Sequence, residues 1–318
     1  MRGSTPAVVV ALVVALGAAP AGDNRQIAAE IQRLTTAAPA VLPDDSKAAI
    51  LSRLQRAEGA LAKGHNYLAL YDLQVVFEAE GGYRLASTEK DYPTQEGFVH
   101  KWTEMGPPAA PPARKADVRF VEALAQSAEG RAPATYRASR PFAADAGRPA
   151  GLYYLGESHA MVRFAALCRG LELPLAPKPT AALSSIEGPL ASFESTVVKA
   201  YDATAADRRP RFAAVNVAIK LARTLDEQGR HEGALLHYLV SRHRYAMIET
   251  TGKPEPNIEA LRARLAGVTL PPGADHSIGE FFLQLALASL NGPEPTAHSA
   301  AVTLDDVVPA YLMVTNKK

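Results

Sequence analysis

The sequence predicts an all-α fold of antiparallel helical hairpins, arranged as an irregular superhelix or bundle. Three observations lead there. Apolar residues recur at three- and four-residue spacing along most of the chain, the period of an amphipathic helix. Alternating apolar and polar runs bounded by turn residues, the mark of strands, are absent. Short stretches rich in glycine or proline interrupt the helical runs where antiparallel neighbours need turns.

The stretch 212–248 shows the hairpin most clearly. Phe212, Val215, Ile219, Ala222 and Leu225 share one helix face. Gly229 follows where a left-handed cap ends a helix. Ala234, Leu235, Tyr238, Leu239 and Arg242 then form a return helix, with small Ala222 and Ala234 facing each other where the two helices cross.

Taken in order, the chain opens with Arg2, an apolar run over 7–16 and Ala19-Pro20-Ala21. This is the pattern of a signal peptide cleaved after Ala21, its apolar core too short to span a bilayer. The mature chain is expected to be soluble, in a bacterial periplasm or outside the cell. A helix over 23–37 carries Ile27, Ile31 and Leu34 on one face. After two prolines, Asp44, Asp45 and Ser46 are natural N-caps for a helix to 63 that Gly64 ends. Its return helix over 66–80 is closed by Gly81-Gly82. A helix over 94–105 holds the only tryptophan, Trp102, and the GPPAAPP stretch at 106–112 breaks the chain.

Helix resumes over 114–129, then over 133–146 with a kink at Pro141. The run 151–170 is long and apolar, and LPLAPKP at 173–179 is a second break. A helix over 189–204 precedes the hairpin, which Asp207 is expected to cap. Helices over 257–265, 277–290 and 303–314 follow, the last kinked at Pro309. The organisation is thus a signal peptide at 1–21, an N-terminal hairpin region at 22–105, a middle helical region at 113–170 and a C-terminal region at 180–318 that contains the 212–248 hairpin.

Composition excludes several classes of function. A net charge of +1 gives no general reason to bind nucleic acid or an anionic membrane. Aromatic residues make up only 7%, which disfavours base-stacking and sugar-stacking surfaces. The one cysteine, Cys168, cannot form an internal disulfide and lies among Phe164, Ala165 and Leu167, as a buried inert thiol does.

Leu221-Ala222, Leu225, Gly229, Ala234 and Tyr238 reproduce much of the tetratricopeptide repeat pattern. Ala57, Gly64, Ala69 and Leu70 repeat the spacing of Ala222, Gly229, Ala234 and Leu235, and Leu155-Gly156 is a weaker echo. The chain therefore resembles a degenerate tetratricopeptide-like (TPR-like) helical protein. Ala218 stands where the family has an aromatic residue, Ala246 where it has a proline, and no 34-residue period runs through the chain. The resemblance covers two hairpins. It implies protein or peptide binding in a concave groove, with Ala222, Gly229, Ala234 and Tyr238 as structural positions, and carries over no catalytic residue.

Candidates for chemistry are few. His231, Glu232 and His237 fail the zinc-helix pattern, which needs histidines four apart on one face. His237 and His243 beside Tyr238 and Tyr245 lack the Cys-x-x-Cys-His of a haem attachment site. Ser158 and His159 are adjacent and point in different directions. Glu157 and Arg163 are candidates for a polar pair lining a groove. The least ordinary charge feature is a basic hairpin: Arg208, Arg209, Arg211, Arg223, Arg230, Arg242, His243 and Arg244. Arginines at a helix start oppose the macrodipole unless an anion sits there, so this surface is the candidate binding site for an acidic protein or peptide. No catalytic residue, metal site or cofactor is assigned. A non-catalytic binding scaffold is the expected function. A secreted all-α enzyme with a site formed only in three dimensions, or an oligomerising structural subunit, stays open beside it. Exported protein should begin at Gly22: N-terminal sequencing of envelope material reads this directly, and an intact Met1 in the cytoplasm contradicts it.

Overall fold

The computed structural model describes residues 24–109, 115–144, 147–172, 182–272, 274–292 and 296–316. The cleavage site, the end of the proline-rich break at 110–112 and the LPLAPKP stretch lie outside the described residues. Helices account for most of the rest, and no strand occurs among the described residues. They are α1 (Arg25–Ala37), α2 (Asp44–Ala62), α3 (Asn66–Ala86), α4 (Gln95–Met105), α5 (Arg119–Ser139), α6 (Arg148–Gly170), α7 (Glu187–Ala203), α8 (Ala213–Glu227), α9 (His231–Glu249), α10 (Ile258–Ala266), α11 (Ser277–Asn291), α12 (Ala297–Val302) and α13 (Val308–Thr315).

The hairpins α2–α3 and α8–α9 turn in the same way. Gly64 and Gly229 adopt φ of 75° and 70°, where a Cβ would clash with the following carbonyl. Gly64 N–H donates to Leu61 O at 3.0 Å and His65 N–H to Ala60 O at 2.9 Å. At the second turn Gly229 N–H donates to Asp226 O at 2.9 Å and Arg230 N–H to Leu225 O at 2.8 Å. Both are Schellman motifs, which satisfy the last carbonyls of the first helix. Ala57, Ala69, Ala222, Ala234 and Tyr238 are all fully buried.

Neighbours run in the order α1, α2, α3, α6, α5, α9, α8, α7, with α11 lying on α3 and α5 and the C-terminal helices on α9. The middle hairpin is therefore reversed: its second helix, α6, makes the main packing on α3. One apolar cluster extends from Ile27 to Tyr311. A second joins α10, α11 and α12, and a small third seats Phe98 of α4 against Ala143 and Leu152.

Several boundaries differ from the sequence expectation, each for a packing reason. α3 does not stop at Gly81-Gly82 but continues to Ala86. The two glycines are there for α6: a Cβ on Gly156 would collide with the Gly81 carbonyl, and one on Gly81 with Ala160. The expected helices at 114–129 and 133–146 are one helix, α5, which passes through Pro133 and gives way at Pro141 to a 3-10 turn, Arg140–Ala143. Asp207 does not cap α8. It lies in a 3-10 segment, Ala206–Phe212, that leads into it. α2 starts at Asp44 itself, with no side-chain cap. At Pro309 the chain keeps its helix by a π-turn, Thr303–Val307, in which Val308 N–H reaches back to Thr303 O. The wider turn makes room for a residue that has no N–H and a bulky ring.

The N-terminus of α5 is closed from a distance. Arg119 N–H donates to Asp275 Oδ2 at 2.6 Å and Phe120 N–H to Ser277 Oγ at 2.9 Å, while Asp275 Oδ1 accepts from Ser277 N–H at 2.9 Å. One fully buried carboxylate thus caps α5 and α11 together. In urea denaturation, Gly156→Val and Ala234→Phe should each lower stability by about 1–3 kcal/mol through overpacking. Gly229→Ala should cost about 1–2 kcal/mol through backbone strain alone.

Candidate functional site

The close approach of α3 and α6 leaves a groove along one side of their seam. Gly81, Arg84 and Leu85 on α3, with Thr88 just beyond its end, recur at helical spacing, and Gly156, His159, Val162, Arg163 and Ala166 do so on α6. Met105, Pro108 and Ala109, at and beyond the end of α4, close a cavity of about 540 Å³. This is the size range of ligand-binding clefts. Its walls are largely apolar, and its charged groups are two guanidiniums.

These two differ. Arg84 Nε donates to Glu80 Oε1 of its own helix at 2.7 Å, and Glu80 is buried. Arg163 is exposed, has no carboxylate partner among the described residues, and lies across the glycine seam, its Nη2 3.3 Å from where a Gly81 Cβ would stand. His159 Nε2 donates to the Gly106 carbonyl at 3.2 Å, which leaves Nδ1 as an acceptor. Burial, with a further push from Arg163, lowers this imidazole below its ordinary value, so it is neutral near pH 7. No carboxylate lines the cavity among the described residues.

Glu157 and Arg163 do not form a pair. Six residues apart, they stand about 240° round the helix from each other. Arg163 faces the groove. Glu157 faces the helix interfaces, where Tyr153 Oη donates to its Oε1 at 3.3 Å and Glu78 and Arg131 are its charged neighbours. Arg131 is ion-paired to Glu78, which also accepts from Gln74 Nε2 at 2.9 Å. Beside this set, Arg169 of α6 spans two carboxylates of α5. Its Nε and Nη2 reach Glu122 at 3.2 Å each, and Nη2 reaches Glu129 at 3.0 Å.

The basic-hairpin residues go to separate partners. Arg208 is exposed on the 3-10 segment with no ion pair among the described residues. Arg209 donates to Thr204 O at 3.2 Å and covers the Tyr201 ring. Arg211 donates to Thr251 Oγ1 at 3.2 Å. Arg223 is paired to Glu194, and Arg230 lies 3.8 Å from Glu129. Arg242 bridges Asp306 and the Tyr238 hydroxyl, and its guanidinium lies 5.2 Å from the Phe193 ring centre. His243 shares a 3.1 Å hydrogen bond with Ser299 Oγ, and Arg244 donates to Ala214 O at 2.9 Å. Arg230 caps the start of α9 and Arg242 lies twelve residues further along it, about 18 Å along the axis.

The singled-out histidines also separate. His231 Nδ1 meets Asp226 Oδ1 at 2.8 Å, and His237 Nε2 shares a 2.7 Å hydrogen bond with Ser127 Oγ. The Ser127–His237 pair has the geometry of a nucleophile and its base but not the electrostatics. Burial, then Arg131 and Arg244, push His237 down to about 3. An imidazole so placed resists the proton a general base must accept. Burial raises the Cys168 thiol well above its ordinary range, which keeps it unreactive.

Arg84 was missed by sequence reasoning, and His159 was weighed only as a partner of Ser158. The signal was present: Gly81 and Gly156 each precede, by three residues, a basic side chain on the same helix face. The fold and groove define an all-α protein of packed helical hairpins, compatible with a helical-repeat-like architecture. Compared with protein-family models, with curated proteins and with solved structures, the chain matches none.

Burial above all, with the Glu78 charge, raises Glu157 from 4.5 to about 7. Between those values the folded chain holds a proton that the unfolded chain has lost, so this group's contribution to stability falls as pH rises through that window. His65, His159, His237, His243 and His276, all lowered, act in the opposite sense, so the useful quantity is the difference between parent and variant. Glu157→Gln should gain stability relative to the parent as pH rises from about 4.5 to about 7. Chemical denaturation across that range measures it, and a pH-independent difference contradicts it.

Proposed function

We propose that this chain is an exported, non-catalytic helical scaffold that holds an acidic peptide segment in the α3–α6 groove. The observation that carries the reading is Arg163: among the described residues this guanidinium has no carboxylate partner, and no carboxylate lines its apolar-walled cavity. A guanidinium held at an apolar wall suits a side chain or terminus that brings a carboxylate with hydrocarbon around it. Leu85, Val162 and Met105 supply that hydrocarbon contact. Export rests on the apolar run over 7–16 and the small residues after it. Binding is favoured over catalysis because the buried carboxylates Glu78, Glu122 and Glu129 are bound by arginines within the helix packing.

The test uses two fluorescein-labelled peptides, one alternating Glu with Leu and one alternating Lys with Leu. The Glu–Leu peptide should raise its anisotropy with added protein, and more weakly as salt increases. Arg163→Ala should reduce its affinity about tenfold, ~1.4 kcal/mol, with an unchanged melting curve. Equal binding of the two peptides, or equal affinity of parent and variant, overturns the reading.

A further inference from the structure

A second cavity, of about 500 Å³, lies on the opposite part of α3, between the α2–α3 turn and the end of α11. Leu68, Leu285 and Ala288 form an apolar wall. Facing it are Arg56 from α2, Lys63 and His65 from the turn, and Tyr71 from α3.

The charges here are not balanced. Asp72 is the one carboxylate among the described lining residues, and it is already saturated. Arg53 Nη1 donates to it at 3.2 Å, Arg56 Nε at 3.1 Å, and Arg56 Nη2 as well. Lys63 has no ion-pair partner among the described residues. The rings of His65 and Tyr71 have no hydrogen-bond partner there for their polar atoms. Among the described lining residues two cations, Arg56 and Lys63, stand against one anion, and Arg53 reaches the same carboxylate from outside the lining.

The ordinary explanation is that cations gather here to satisfy the C-terminal carbonyls of α2 and α11. Those carbonyls are already occupied. Ala60 O and Leu61 O accept from the His65 and Gly64 N–H groups, and Ser289 O from Thr296 N–H at 2.9 Å. Leu290 O accepts from Arg262 at 3.2 Å. Burial, and then the Lys63 charge, lower the His65 imidazole. No negative group among the described residues raises it.

We propose that this cavity binds a small phosphate monoester, its phosphate held by Lys63, Arg56 and His65 and its carbon skeleton against Leu68, Leu285 and Ala288. A phosphate monoester carries about −1.5 to −2 charges near neutral pH and three strong acceptor oxygens. That suits an excess of positive charge and three donors arriving from α2 and from the turn. A carboxylate offers only two oxygens, in one plane, to these three donors. The volume leaves room for the carbon part beside Gly59, where no Cβ intrudes.

The test is calorimetric titration of the full chain with glycerol 3-phosphate, with glycerol and acetate as controls. Glycerol 3-phosphate should bind saturably, glycerol should give no saturable heat, and acetate should bind at least tenfold more weakly. Lys63→Met and His65→Gln should each weaken glycerol 3-phosphate binding about tenfold, ~1.4 kcal/mol. Lys199→Met, an exposed lysine of α7, should leave it unchanged. Lys63 is exposed, so its variant should keep the parent's melting curve, which makes its loss of affinity specific to the site. No saturable binding by the parent at millimolar concentration, equal affinity in parent and both site variants, or acetate binding as tightly as the phosphate overturns the proposal. The result stands apart from the acidic-peptide experiment, since the two cavities share no lining residue.

Discussion

The rest of the structure depends on α5 being surrounded. Phe120, Leu124, Ala125 and Ala128 are buried on its apolar side, and Glu122, Gln126, Ser127 and Glu129 are buried as well. A helix with polar groups on its buried sides is tenable only if its neighbours bring partners. α6 brings Arg169 to Glu122 and Glu129, α3 brings Glu78 to Arg131, α9 brings His237 to Ser127, and Asp275 caps the first turn. Removing one member of such a buried pair commonly costs 3–5 kcal/mol, because a charge is left without its counterpart. The matched set therefore selects which helices lie next to α5 more sharply than apolar contact can.

The groove follows from the same arrangement. Arg169 holds α6 to α5, while Gly81 and Gly156 let the other side of α6 meet α3 backbone to backbone and Gly82 leaves room for the Tyr153 ring. Glycines at that contact leave no side chains to fill the space over the seam. Larger residues farther along each helix, Leu85 and Val162 with Arg84 and Arg163, become its rims. α3 thus has two concave sides: one near its C-terminus against α6, the other near its N-terminus against α11.

Particular residues show what could be read in advance. The turns at Gly64 and Gly229 were legible because a left-handed cap is a local property: the glycine and the helix before it suffice. The same reasoning misread Gly81-Gly82, which look like a stop until α6 is known to press on them. Pro133 within α5 is similar: it is itself exposed, and buried neighbours such as Ala132 and Tyr136 hold the helix through a residue that would break an isolated one. Arg163 was legible as a groove residue, but its assumed partner Glu157 was not, because helical geometry turns it the other way. Arg84 and His159 became site residues only when two helices some 70 residues apart in sequence were brought together.

By itself, then, the sequence determined the all-α class, most helix positions and the two hairpin turns, because helical periodicity and capping act over a few residues. It also marked the basic hairpin as unusual in charge. The tertiary structure alone decided that α6 and not α5 packs on α3, that most arginines of that hairpin have partners within the fold, and where the cavities lie. The reason is physical. Apolar helix faces are nearly interchangeable as partners. Which faces meet is settled by small residues that allow close approach and by buried charges that need opposites, and those partners lie tens to more than a hundred residues apart in the chain.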